Sequence, residues 1–194
     1  MTRGVAPPVV ADGGHYIAVG QPDQKARYVF PSLEAERLSG LAARISERFV
    51  YLKICEPPEA VRAVLPDHWV IRYPATYMMT GRLHAADLIP PPGYRVDLET
   101  VGFTRTATVH HGDQQVARGR IVLLEDTALF DQVSTDEAHR RRGLGRLLMQ
   151  ALANDARDQS ARHGLLCATQ MGRPLYESLG WTVHAPYTSA VIAD

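Results

Sequence analysis

Cysteine is scarce in this chain: Cys55 and Cys167 are the only two among 194 residues. Both lie in apolar runs and neither has metal-ligand spacing, so a disulfide framework and a cysteine metal site are both excluded. Cys167 reads as a small buried hydrophobe in mid-strand. Charge of one sign is missing too. Twenty-one Lys and Arg balance twenty-one Asp and Glu, for a formal net charge of zero. Without a global basic field, neither nucleic acid nor a membrane surface is expected as a partner. No apolar run is long enough to cross a bilayer. Residues 1–14 lack the apolar core of a signal peptide, and the chain reads as cytoplasmic. No internal repeat and no low-complexity segment is visible. What remains is ample: 45% hydrophobic residues, enough for a proper core.

The most informative stretch is Val133-Ser134-Thr135-Asp136-Glu137-Ala138-His139-Arg140-Arg141-Arg142-Gly143-Leu144-Gly145. A strand ends, a basic glycine loop follows, and an amphipathic helix starts at once. Free N–H groups and the positive end of a helix dipole suit an anion there. Arginines add charge-assisted hydrogen bonds. Three arginines alone read as a solvated charge run; with Gly-x-Gly and a clean helix, phosphate binding is favoured. Leu144, Leu147, Leu148, Ala151 and Leu152 recur three and four residues apart and form one apolar stripe. Asp155 interrupts that stripe, so burial is expected to weaken near the helix end. His163 and Gly164 supply a stop signal.

Arg140-Arg141-Arg142-Gly143-Leu144-Gly145 resembles the Q/R-x-x-G-x-G/A loop of the GNAT N-acetyltransferases. Downstream, Leu165 to Gln170 reads as a buried strand. Gly172-Arg173-Pro174-Leu175-Tyr176-Glu177-Ser178-Leu179-Gly180-Trp181 is similar to that family's A-x-x-x-Y-x-x-x-G-F/W segment. The resemblance is specific over about Ala128 to Trp181 and diffuse back to about Tyr94. Three positions depart from the pattern: Glu137 stands for a frequent Pro, Gly172 for Ala, and Thr169 for a common Asn. The resemblance implies an α/β fold with a mixed, mostly antiparallel central sheet flanked by helices. The amino-terminal region is atypical for such a fold.

The spacing predicts a strand over His15–Gly20 and a helix from an N-cap at Ser32 to about Phe49. A strand over Phe49–Cys55 and a helix over Glu59–Leu65, opened by Pro57 and Pro58, follow. Trp69 to Met79 is mixed in pattern and readable as extended. Pro90-Pro91-Pro92-Gly93 punctuates the chain and suggests residues 1–90 as one region and 91–194 as the core domain. Beyond it come strands at Tyr94–Thr100, Thr104–His111, Gln115–Leu124 and Thr127–Val133. Trp181–His184 and Ser189–Ile192 read as two closing strands around Pro186. Glu99 to Phe103 leaves no room for the helices that the family places between its first two strands. The helix from Ser32 is therefore expected to cover that face of the sheet.

Acetyl transfer from a thioester to an amine requires a held donor, an amine that loses its proton, oxyanion donors and a protonated leaving thiolate. The resemblance implies acetyl-CoA as co-substrate, with no metal. By position, Val133, Ser134 and Thr135 would meet the pantetheine arm, and Arg140, Arg141, Arg142, Gly143, Leu144, Gly145 and Arg146 the diphosphate. Tyr176 would protonate the thiolate. Asp131 is the candidate base, on one strand face with Leu129, Val133 and Thr135; equally, it is a structural partner of Arg118 or Arg120. Glu99 is the reserve base, and His110 and His111 are weak candidates. Trp69, Tyr77, Met78 and Met79 are either pocket lining or core. The implied partner is a small-molecule or peptide amine. A non-catalytic acyl-CoA-binding module is the rival reading. Ala190-Val191-Ile192 is a candidate strand for pairing across a homodimer.

Overall fold

A computed structural model describes residues 7–192. The chain forms two compact units, one of residues up to Met78 together with those from His184 on, the other Met79–Val183. The first carries β1 (Val9–Ala11), β2 (Gly14–Gln21), β3 (Gln24–Phe30), α1 (Ala35–Arg44), β4 (Val50–Ile54) and α2 (Pro58–Val64). β5 (Val70–Arg82) begins there and ends in the second unit, leaving the first ahead of the Pro90–Gly93 punctuation.

Leu38, Leu41 and Ala42 of α1 pack with Phe30, Leu52, Ile54, Val61, Trp69 and Ile71 into one core. The Trp69 indole N–H donates to the Ala42 carbonyl at 3.1 Å. The apolar side of α1 is thus consumed within its own unit, which corrects the expectation that it covers the later strands. The helix starts at Ala35, with Glu34 rather than Ser32 as N-cap. Trp69 is core and not pocket lining.

The second unit carries β6 (Tyr94–Val101), β7 (Thr104–His111), β8 (Gln114–Leu124), β9 (Thr127–Thr135), α3 (Leu144–Asp158), β10 (His163–Ala168) and α4 (Arg173–Glu177). β11 (Thr182–Val191) starts there and ends in the first unit. Strands run in the order β10-β9-β8-β7-β6. β6 to β9 form an antiparallel meander, and β10 lies parallel to β9. A parallel pair needs a crossover, and α3 supplies it.

Seven residues of α3 are buried, from Leu144 to Ala156, against Ala107, Val109, Ile121 and Phe130 of the strands. Burial does not weaken at Asp155. Its carboxylate accepts from the Arg105 guanidinium on β7, and Ala156 beyond it is fully buried. A charge on the apolar stripe is tolerated because the adjacent strand neutralises it. Asp155→Ala strands Arg105 with both side chains only 16–21% exposed. The expected loss is about 2 kcal/mol, read by urea unfolding.

α3 stops at Asp158, not at His163. Ser160 takes φ +70°, its N–H bonds the Arg157 carbonyl, and the Ala161 N–H bonds that of Ala156. This is a Schellman stop with serine in the usual glycine place. His163 and Gly164 already belong to β10, where Gly164 lies under the Trp181 ring. Met79 is fully buried. Cys167 points outward and is exposed, against the buried reading.

The carboxyl-terminal segment is one strand running through Pro186 rather than two. Thr188–Val191 pair antiparallel with β4, and β11 lies between β4 and β5. Ala190 and Val191 are fully buried. The strand considered for homodimer pairing is therefore occupied within its own chain.

Two successive stretches of the chain repeat one element order, which the residues alone do not reveal. β2-β3-α1-β4-α2-β5 and β8-β9-α3-β10-α4-β11 are both hairpin, helix, parallel strand, short helix, strand. α2 and α4 both carry Pro in their first turn, and a buried Trp, Trp69 or Trp181, precedes each last strand.

Candidate active site

The site lies where β9 outruns β10. Parallel pairing ends at Phe130↔Leu166, while β9 continues to Thr135. Gln132 takes φ +55°, and the register to β8 shifts between Arg118↔Ser134 and Arg120↔Asp131. This is a β-bulge, and it re-aims the residues after it. Val133 turns toward α3, into the space that a side chain at Gly119 would take beside Leu152. Asp131 remains on the opposite face with Leu129, so the face shared by Asp131, Val133 and Thr135 in a regular strand does not exist. Backbone groups of Val133, Ser134 and Thr135 lie on the extension that has no parallel partner, open to an extended ligand.

The basic loop comes next. Asp136 N–H closes on the Val116 carbonyl at 2.8 Å, and a 3-10 turn spans Glu137–His139. Arg140 bonds the Thr135 carbonyl at 3.3 Å and lies 3.7 Å from Glu137. Arg142 donates to the Tyr94 hydroxyl at 3.2 Å and to the Ala138 carbonyl at 3.3 Å. Tyr94 is itself bonded to His139 Nδ1 at 2.9 Å, and its ring packs on His111. The guanidinium is therefore held before any ligand arrives. Arg141 is exposed at φ +61°.

Gly143 caps α3 at φ +81°, ψ 0°, a left-handed conformation that favours glycine. The first intrahelical bond found here is Leu147 N–H to the Gly143 carbonyl, at 3.0 Å. First-turn N–H groups have no partner within a helix and point outward. A Cβ on Gly145 would stand 2.8 Å from Leu175, so glycine lets α3 and α4 approach. Arg146 donates to Ser178 at 2.9 Å, tying the same two helices. Positive side chains, a left-handed glycine and a helix amino-terminus form a fitting cradle for a diphosphate.

Tyr176 sits on α4, 8% exposed, with its ring against Trp181 and the Gly172 backbone. Burial pushes its phenol above the usual 10.0. Trp181 packs edge-on against Phe130, on the α3 side of the sheet. Thr169 is occupied locally: Oγ1 accepts from the Gly172 N–H at 3.1 Å, ahead of α4.

Asp131 accepts from Arg120 at 2.9 Å, the structural pairing that the sequence left open. Glu99 is exposed on β6 and lies in the cross-strand row Glu99–Thr106–Arg120–Asp131. Three strand spacings place it about 14 Å from Asp131. His110 lies beside Asp97, 2.9 Å away, and His111 joins the Tyr94 group. Tyr94 and His139 carried no recognisable motif, since their role depends on contacts 45 residues apart in sequence.

The corresponding junction of the first unit lacks these features. Pro31-Ser32-Leu33-Glu34 joins β3 to α1 without glycine or arginine, and Glu34 caps the helix with an acid. β3 ends at its last pair, Phe30↔Ile54, and Cys55 N–H closes on the Phe30 carbonyl at 3.1 Å.

Among the described residues, no group of three or more His, Cys, Asp or Glu is placed to hold a metal, and no helix is long and apolar enough to cross a membrane. Residues 102–183 match the family model described as an acetyltransferase (GNAT) domain. No curated protein is similar enough in sequence to match the chain. Among solved structures, a GCN5-related N-acetyltransferase from Kribbella flavida is similar at TM-score 0.69 and 13% identity, over 95% of this chain and 88% of that one. A GNAT-family acetyltransferase from Novosphingobium aromaticivorans is similar at TM-score 0.61 and 16% identity, over 95% and 89%. A tandem GNAT protein from the clavulanic acid biosynthesis pathway is similar at TM-score 0.56 and 14% identity, over 87% and 75%. At these identities the likeness is one of fold.

Proposed function

We propose that this chain, whose residues 102–183 match a GNAT acetyltransferase domain, is an acyltransferase that moves an acetyl group from acetyl-CoA to a primary amine by direct attack in a ternary complex. The observation that carries the reading is the conjunction of the Gly143-capped, arginine-lined helix terminus with the bulged extension of β9 beyond its parallel pairing with β10.

When bound, the co-substrate supplies a thioester-activated acetyl group. Arg140, Arg141, Arg142 and Arg146, with the N–H groups from Gly143 to Gly145, hold its diphosphate. Val133, Ser134 and Thr135 offer backbone groups to its pantetheine arm. The amine nitrogen forms the new C–N bond as the C–S bond breaks. Tyr176, a phenol that holds its proton at neutral pH, gives that proton to the departing sulfur. Asp131, held by Arg120, takes the proton released by the amine, directly or through water. Tyr176 on the α3 side and Asp131 on the other place the two proton transfers on opposite faces of the sheet. The first unit, with an acid at its helix cap and no strand extension, takes no cofactor, so the chain binds one CoA.

The test is thiol release from acetyl-CoA against an amine panel, with a CoA titration by calorimetry. Turnover with at least one amine and saturation near one CoA per chain are expected. CoA binding without thiol release from any amine would instead support a non-catalytic acyl-CoA-binding module. Melting unchanged by near-millimolar CoA would remove the basis of both.

A further inference from the structure

We propose that the acceptor is a small amine that also carries a carboxylate, and that Arg118 is the residue that reads it. This rests on the acyl transfer proposed above and names its substrate class. The argument starts from the face of β6 to β9 opposite α3. Residues paired directly across antiparallel strands share a face. The registers therefore place Asp97, Thr108, Arg118 and Ser134 in one row, and Glu99, Thr106, Arg120 and Asp131 in the next. These central rows are polar throughout. A sheet face built to receive a helix is apolar, as the α3 side is.

Most charges here are already matched. Asp97 lies 3.3 Å from Arg95, with His110 Nδ1 2.9 Å away but not hydrogen-bonded, and Asp131 takes Arg120 at 2.9 Å. Arg118 differs. It is exposed and has no carboxylate partner among the described residues; Glu99 on β6 is likewise exposed and unmatched, which leaves Arg118 as the unmatched cation of these rows. Beside it, Arg120 spends Nη2 on Asp131, but its Nε is buried with no hydrogen-bond partner. Buried donors are rarely left unpaired without a reason. The two arginines alternate with Gly119 on one strand, so they stand about 7 Å apart on the same face.

Position converts this unmatched charge into selectivity. Arg118 pairs with Ser134, on the β9 extension just past the bulge at Gln132. An anion held by its guanidinium lies next to the segment assigned to the acetyl donor. A guanidinium binds a carboxylate through two parallel N–H···O bonds. An acceptor with one carboxylate satisfies Arg118 while its amine reaches the reacting edge. A diamine or polyamine would instead bring a second cation against Arg118.

The experiment compares amino acids with the amines left by their decarboxylation. Wild-type protein should show a kcat/KM at least tenfold higher for the carboxylate-bearing member of each pair. Arg118→Gln should cut that ratio by about tenfold, chiefly through KM, and Arg118→Lys should restore part of it. Calorimetric binding of the same pairs in the presence of CoA should follow the same order, and it reads recognition without turnover. If the decarboxylated amines bind and react as well as the amino acids, or if Arg118→Gln leaves the ratio unchanged, the carboxylate assignment is overturned. If amino acids bind through Arg118 but no thiol is released, recognition stands and acyl transfer fails.

Discussion

Tyr176→Phe is expected to lower kcat by about 10²–10⁴-fold while CoA affinity stays within a few-fold of wild type. The substitution removes one oxygen from a ring that is 8% exposed and packed on Trp181 and Gly172, so the fold should persist. What goes, in the proposed mechanism, is the proton for the departing thiolate. Burial favours the neutral phenol and raises its pKa above the usual 10.0. The linkage has a definite sign. A folded-state pKa above the unfolded one contributes stability that is present below about pH 10 and is lost as pH rises through the folded value. Wild-type melting should therefore fall more steeply than that of Tyr176→Phe above pH 10. Single-turnover kinetics with a good acceptor decide the catalytic part. A kcat within threefold of wild type would mean that the thiolate draws its proton from water.

Gly143→Val is expected to abolish the thermal shift produced by CoA and to weaken CoA binding by at least tenfold. The residue sits at φ +81°, where a β-branched side chain costs about 1–3 kcal/mol. Nothing within 4 Å would meet a Cβ, so backbone conformation and not crowding is what changes. As Gly143 leaves that conformation, the first-turn N–H groups and Arg142 lose their common aim. Loss of stability alone would mimic part of this. Gly102→Val supplies the control, because Gly102 also has positive φ and open space but lies in the β6–β7 turn, at the far end of the strands. It should lower melting temperature and leave CoA affinity intact. Equal CoA affinities in the two variants would contradict a diphosphate cradle at Gly143.

Much of the second unit was readable because its signals are local. The stripe from Leu144 to Leu152 predicts α3, and the basic glycine run before it predicts the loop. Pro174 and Gly180 bracket α4, with Gly180 at φ +83°. The hairpin around Gly112 follows from alternation and a two-residue turn. Of the amino-terminal elements, β2, α1, β4 and α2 were located, while β1 and β3 were missed and the packing of α1 was not foreseen. Whether the apolar side of α1 meets its own strands or others depends on chain reversal, which periodicity does not encode.

Sequence by itself determined where α3, α4, the meander strands and the basic glycine turn lie, since each follows from neighbouring residues and their backbone preferences. Tertiary structure decided the rest. It set the bulge at Gln132 that separates Asp131 from Val133, and the pairings Arg120–Asp131 and Arg105–Asp155. It also brought Tyr94, His139 and Arg142 together and left Arg118 unmatched on the open face. The physical reason is that a charge or a hydroxyl acquires its role from whatever a distant strand brings against it, and no local pattern specifies that partner.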